Sequence, residues 1–260
     1  MSNFYTSVVR YGNSMLYRGY DSSGKNVYRK DKFSPEFFVS SKKETGWHSL
    51  YGHNVGRLSF MTMREAKTWI ENNKEVANRQ VFGTTNYIHQ YITNKFPNEI
   101  KFKREWINVV TIDIETDYDD GFPHPSEATQ EVLAITVKSS KSDVFWVWGY
   151  GDYDVDKALI KPAVYVKCKD EKDLFNKFLQ WWSKPDQMPD VITGWNTRFF
   201  DIPYLINRTA RILGTDSVKR FSPWGMVESR EITRRGKKEE VYDIRGIQTL
   251  DYLELFQKFG

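Results

Sequence analysis

The chain of 260 residues carries a single cysteine, Cys168, and four histidines, His48, His53, His89 and His124. One cysteine excludes a disulfide framework and any cysteine-rich zinc site, and it suits a reducing compartment. The histidines fall in no metal-ligand spacing, so a histidine-rich zinc site is also excluded. No stretch reaches the roughly 20 apolar residues of a membrane span, and the opening Met1-Ser-Asn-Phe-Tyr5 has no signal-peptide character. No internal repeat or low-complexity tract occurs. With 40% hydrophobic and 16% aromatic residues the chain can bury a core, so global disorder is excluded as well.

What charge there is lies unevenly. Residues 1–106 hold 17 Lys and Arg against 9 Asp and Glu, a balance of +8, whereas residues 107–260 hold 21 against 25, a balance of −4. A basic first part invites a polyanion, although an ordinary solvated surface would have the same composition. We expect two domains: a small α+β domain over 1–106 and a second domain over 107–260.

In the first, Phe4–Arg10, Met15–Tyr20 and Val27–Lys30 read as a strand meander, and Phe37–Val39 as a further strand. Thr62-Met-Arg-Glu65 is a capping box that opens a helix. In the second, Ile107–Ile112, Val132–Val137 and Val144–Trp148 read as an antiparallel meander of buried strands. Ala163–Val166 is another strand, and the spacing of Leu174, Phe175, Phe178, Leu179 and Trp182 predicts a helix entered near Asp170. Val191–Gly194 is a strand and Asp201–Leu213 a helix closed by Gly214. Met226–Thr233 and Glu240–Ile244 flank the basic Arg234-Arg-Gly-Lys-Lys238 as a long β-hairpin. Ile247–Gly260 reads as the start of an amphipathic helix that stops abruptly, as a truncated domain would.

The chemistry concentrates in two places. Asp113 and Glu115 end the run Ile107–Ile112, and residues two apart on a strand share a face. Two carboxylates side by side repel, and a hard divalent cation such as Mg²⁺ or Mn²⁺ relieves that; a strand running out into a charged loop is the plainer alternative. Asp201 stands at a helix start, a position for an N-cap as much as for a ligand. It follows Asn196 and the aromatic pair Phe199 and Phe200, which could stack on the bases of a single strand.

Asp113-Ile-Glu115 and Asn196…Phe200-Asp201 resemble the first and second motifs of the 3′→5′ exonuclease domain of family B DNA polymerases, in particular those of T-even-type bacteriophages. Thr193-Gly-Trp-Asn196, Phe200-Asp-Ile-Pro-Tyr204, Lys219-Arg-Phe-Ser-Pro223 and Ile247-Gln-Thr-Leu-Asp-Tyr252 carry the likeness. Tyr51-Gly-His-Asn54 and the helix around Trp69 extend it more weakly over the first hundred residues.

The resemblance implies an α/β protein whose second domain is a ribonuclease H-like, mixed-sheet exonuclease with an extended hairpin. It implies that Asp113, Glu115 and Asp201 are catalytic carboxylates holding two Mg²⁺ or Mn²⁺ ions at the scissile phosphate. Phe122 would wedge against terminal bases, or simply pack its loop. Asn196 and Phe200 would lie along the strand. Arg234, Arg235, Lys237 and Lys238 would contact phosphates, or form a solvated turn. The partners implied are DNA primer-template, a single-stranded 3′ end, the remainder of a polymerase and RNA at the N-terminal domain, with no membrane. The location implied is the cytoplasm of an infected bacterial cell.

The family's fourth carboxylate belongs to a Tyr-x-x-x-Asp motif. Residues 208, 246 and 256, four after Tyr204, Tyr242 and Tyr252, are Arg, Gly and Phe, so the motif is absent. A nucleic-acid-binding fragment without hydrolysis is therefore the alternative. Tyr150-Gly-Asp-Tyr-Asp154 looks like the paired aspartates of a polymerase palm, but its place after a strand reads as a turn.

Overall fold

The structure is a computed structural model that describes residues 2–260 apart from 77, 78, 120, 122, 161 and 235. The chain divides into two compact units, residues 1–102 and 103–260.

The first unit holds two three-stranded antiparallel sheets. One is the meander of β1 (Ser2–Tyr11), β2 (Ser14–Asp21) and β3 (Asn26–Lys32); the other has the order β5-β4-β6, from β4 (Glu36–Ser40), β5 (Val55–Ser59) and β6 (Val81–Phe82). Helix α1 (Met63–Asn73) starts where the capping box places it. Thr62 accepts from the amide of Glu65, and the Glu65 carboxylate accepts from the amide of Met61. Helix α2 (Tyr87–Lys95) lays Tyr91 on Met15, Tyr17, Phe33 and Met63 to form the core. Beside that core the Lys95 ammonium bonds Asp31 at 2.9 Å and lies 4.2 Å over the ring of Tyr17.

The second unit is built on a six-stranded mixed sheet with the order β10-β9-β8-β7-β11-β14. Strands β7 (Val109–Thr116), β8 (Val132–Ser139) and β9 (Phe145–Gly149) form the antiparallel meander expected from the sequence. The strands β10 (Ala163–Lys167), β11 (Val191–Gly194) and β14 (Gln248–Asp251) join in parallel. Helix α3 (Glu171–Trp182) is capped by Asp170 and buries Leu174, Phe175, Phe178, Leu179 and Trp182 against Trp148 and the buried face of β7. Helix α4 (Asp201–Leu213) joins the same core through Ile202, Leu205 and Ile206. A short helix, α5 (Thr215–Val218), follows. The hairpin comprises β12 (Val227–Arg234) and β13 (Lys237–Ile244), and helix α6 (Tyr252–Phe259) ends the chain.

One sequence expectation is corrected here. Ile247–Gly260 does not begin as a helix: Gln248–Asp251 is a strand at the sheet edge, and α6 starts only at Tyr252. Parallel pairing of 248–251 with 191–194 gives this backbone a partner, and it overrides the helical spacing of Leu250, Leu253 and Phe256.

The segment Tyr150–Asp154 belongs to no strand. Its Asp152 pairs with Lys167, and Tyr165 donates to the carbonyl of Gly151. Among the described residues no helix is long and apolar enough to cross a membrane.

Candidate metal centre

Strand β7 alternates strictly. Val110, Ile112 and Ile114 are buried in the core, while Thr111, Asp113 and Glu115 face outward. Asp113 and Glu115 therefore share a face, as their spacing requires. On one edge, β7 pairs with β8 along its whole length. On the other, its pairing with β11 stops at Thr111, opposite Thr193.

Gly194 sits where the strands part. A Cβ there would lie 2.7 Å from the carbonyl oxygen of Ile112 and 2.0 Å from Oγ1 of Thr197, so only glycine fits. Beyond it, Asn196 adopts a left-handed conformation with φ +61°. Its carbonyl accepts from the amides of Phe199 and Phe200 at 3.1 and 3.0 Å, folding the loop into the start of α4.

The first residue of α4 is Asp201, 3% exposed. It is not the N-cap. Phe200 holds that place without a side-chain bond, and Asp201 Oδ1 instead accepts from the amide of Ile114 at 3.1 Å. The segment of β7 released by β11 thus has an amide satisfied by a carboxylate from 87 residues away. Burial, and next the nearby charge of Asp113, push the Asp201 carboxyl up to about 7. Asp113 is exposed as a residue, yet loss of hydration raises its carboxyl too.

Two acids, one buried and opposed in its ionisation by the charge of the other, offer hard oxygen donors that fit a divalent cation. Glu115 shares the outward face of β7 with Asp113. Among the described residues, no group of three Asp, Glu, His or Cys side chains forms a ready-made cage.

Helix α4 also fixes the loop that follows the first two acids. Tyr204 donates to the carbonyl of Gln130 at 2.8 Å, Asn207 to that of Pro125 at 3.0 Å, and Arg208 to those of Ala128 and Thr129 at 3.1 and 2.6 Å. Arg208 is held in turn by both oxygens of the buried Glu171, each at 2.7 Å.

Next to Asn196 lies a cavity of about 210 Å³ lined by His124, Phe199, Phe200, Arg234 and Lys238 among others. The tip of the hairpin reaches it, with the Arg234 guanidinium 4.1 Å over the ring of Phe199. The basic residues singled out in the hairpin differ in their commitments. Arg234 has Glu239 at 3.8 Å, and Lys238 pairs with Glu231 at 2.7 Å. Lys237 is exposed and forms no ion pair with a described residue. Phe122 and Arg235 lie outside the described residues.

Sequence reasoning assigned no role to Thr197, His124 and above all Asp251. Asp251 is buried behind the Asn196 loop and adds to the charge acting on Asp201. A signal for it was present: Asp251-Tyr-Leu-Glu254 has the spacing of a capping box.

Residues 58–259 match the family described as DNA polymerase family B, exonuclease domain. Over its whole length the chain is 31% identical to the DNA-directed DNA polymerase of Enterobacteria phage T4 and 30% identical to that of Escherichia phage RB69; it covers 31% of each. Over 77% of its length it is 26% identical to the DNA polymerase delta catalytic subunit of Candida albicans, covering 20% of that protein. The chain thus spans about a third of the length of its phage relatives. With the family matched across most of its residues, it belongs to the exonuclease domains of family B DNA polymerases.

Proposed function

We propose that the chain supplies metal-dependent 3′→5′ hydrolysis of single-stranded DNA ends, the proofreading step of a DNA-directed DNA polymerase, on a ribonuclease H-like fold. The observation that carries this reading is the buried Asp201 carboxylate, anchored to the amide of Ile114 between the two outward acids of β7.

Asp113 and Asp201 would hold Mg²⁺ or Mn²⁺, with Glu115 on the same face of β7 as Asp113. Such a cation supplies charge neutralisation at the scissile phosphate and an acidified water. The chain's own residues do the rest. Asp201 keeps its place through the Ile114 amide. Phe200, half-buried beside the cavity, offers a ring on which an unpaired base can stack, whereas Phe199 is buried with Arg198 and Arg234 over its ring. Lys237 at the hairpin tip, together with Arg235, offers positive charge for backbone phosphates.

The test is degradation of a 5′-labelled single strand in Mg²⁺ or Mn²⁺. It compares this chain, a version extended to include a Tyr-x-x-x-Asp segment, and Asp113→Ala in each. Stepwise shortening from the 3′ end, lost in Asp113→Ala, is expected. A folded extended version that leaves the strand intact would overturn the reading.

A second reading, nucleic-acid binding without cleavage, is favoured by the +8 charge balance of residues 1–106 with its interleaved Tyr and Phe. Under it the basic residues 1–106 would take RNA or single-stranded DNA. Affinity that falls steeply with salt is then expected, without strand shortening.

A further inference from the structure

Nothing in the proposed chemistry uses Asp251, yet it is among the most heavily bonded carboxylates of the chain. It ends β14 opposite Gly194 and is 2% exposed. Its oxygens accept from four backbone amides. Two belong to the helix it caps: Leu253 and Glu254 donate to Oδ1 at 2.8 and 3.4 Å. The other two belong to the loop before Asp201: Asn196 donates to Oδ1 at 3.2 Å and Arg198 to Oδ2 at 2.9 Å. A cap needs only the first pair. Glu254, in the first turn of α6, takes the Arg198 guanidinium at 2.9 and 3.2 Å. Residue 198 is therefore fastened to the start of α6 through both its backbone and its side chain.

The loop so held is one that needs holding. A left-handed asparagine persists where its surroundings over-determine it. From Asn196 the bonding continues to Phe199 and Phe200, and from the Thr197 carbonyl to the amide of Ile202 at 3.0 Å. This fixes the first turn of α4, whose first residue reaches Ile114. Hydrogen bonds and the short stretches of backbone between them connect Asp251 to β7.

We propose that Asp251 is a positioning residue for the acidic centre: by holding the amides of Asn196 and Arg198 it sets where Asp201 stands beside Asp113. Its consequence for cation binding rests on the function proposed above; the positioning itself does not.

The test uses the full 260-residue chain with Asp251→Asn and, as a second variant, Asp251→Ser. Asn and Ser cap helices about as well as Asp, so α6 is kept. The two loop amides bond different oxygens, Oδ1 and Oδ2, so neither Asn, with an NH₂ in place of one of them, nor Ser, with a single oxygen, can keep both.

Two quantities are read by NMR: hydrogen exchange of the Ile114 amide, and paramagnetic broadening on titration with Mn²⁺ alone. The indole N–H of Trp182, bonded to the carbonyl of Phe221 at 3.0 Å, reports on the distant core. Both variants are expected to exchange Ile114 about tenfold faster or more with Trp182 unchanged, and to bind Mn²⁺ about 10–100-fold more weakly. Ile114 exchange equal to that of the unmodified chain overturns the proposal. So does loss of Trp182 protection in both variants, which would make Asp251 a general core residue. If the unmodified chain shows no broadening around Asp113 and Asp201, the metal reading fails, while Ile114 exchange still decides the positioning.

Discussion

The carboxylate of Asp201 and the backbone amide of Ile114 are joined by a hydrogen bond of 3.1 Å. That bond is possible because β11 leaves β7 at Gly194, so that an amide that a longer parallel pairing would consume is left for a side chain. The same departure opens the space where α4 begins. The acidic centre is thus a product of where two strands stop pairing, and each part of that arrangement has a measurable consequence.

The first concerns pH. In metal-free buffer Asp201 holds its proton in the folded chain up to about 7, whereas in the unfolded chain it ionises near 3.8. Between those values the folded state binds more protons than the unfolded state, so stability falls as pH rises, and it levels off above about 7. Asp201→Asn keeps an oxygen for the Ile114 amide and has no charge to lose. Thermal unfolding at fixed ionic strength in chelator should show the unmodified chain losing stability across this window relative to Asp201→Asn. Parallel curves for the two proteins would refute the assignment.

The second concerns Gly194. A methyl group there meets both the Ile112 carbonyl and Thr197 Oγ1. The carbonyl belongs to the sheet and cannot rotate away, so Gly194→Ala should cost about 1–3 kcal/mol or more, read as a lower urea midpoint. Adding Thr197→Ala removes one of the two clashes and not the other. Partial recovery is expected; complete recovery would mean that the backbone contact is unimportant.

Much of this fold is legible in the sequence because its signals are local. The β-branched run ending at Ile112 gives β7, Thr62 and Glu65 give the start of α1, and Asp170 with the Leu174–Trp182 spacing gives α3. The strand at 248–251 was missed because its cause is the partner strand 191–194, which no local pattern reports. Asp113 and Glu115 could be placed on one face from the period of two. For Asp201 the local pattern alone leaves an N-cap as good a reading as a ligand, and only the resemblance to a family separates them; Asp251, which also looks like a helix cap, receives no role. Only Asp251 is one, and even it spends half of its bonds on a loop more than fifty residues away.

The buried pair Glu171 and Arg208 leads to a third expectation. Both side chains are 7% exposed and they share two hydrogen bonds, while Glu171 also accepts from the amide of Val132 at 2.7 Å. Arg208→Met leaves a buried carboxylate uncompensated and frees the loop carbonyls at 128 and 129. A loss of about 3–5 kcal/mol is expected. Adding Glu171→Gln removes the charge and keeps an acceptor for Val132, so the double variant should be clearly more stable than Arg208→Met alone. Equal instability of the two, measured by urea unfolding, would assign the cost to packing and not to charge.

The hairpin tip divides its basic residues by task, and salt dependence can separate them. Arg234 lies over Phe199 and near Glu239, Lys238 is paired with Glu231, and Lys237 forms no ion pair with a described residue. A cation that already has a carboxylate partner releases fewer counterions when it meets a phosphate, because the phosphate must compete with that partner. Each fully engaged phosphate contributes about 0.7 to the slope of log affinity against log salt for a single strand. Lys237→Ala should therefore lower that slope by nearly this amount and leave the hairpin intact. Lys238→Ala should lower it less. Arg234→Ala should act mainly on structure, loosening the tip by about 0.5–2 kcal/mol as its contact with Phe199 is lost. Faster amide exchange in residues 232–239 would report that loosening. If Lys238→Ala changed the slope as much as Lys237→Ala, the ion pair with Glu231 would have no hold on Lys238 in the complex, and the division of tasks would be wrong.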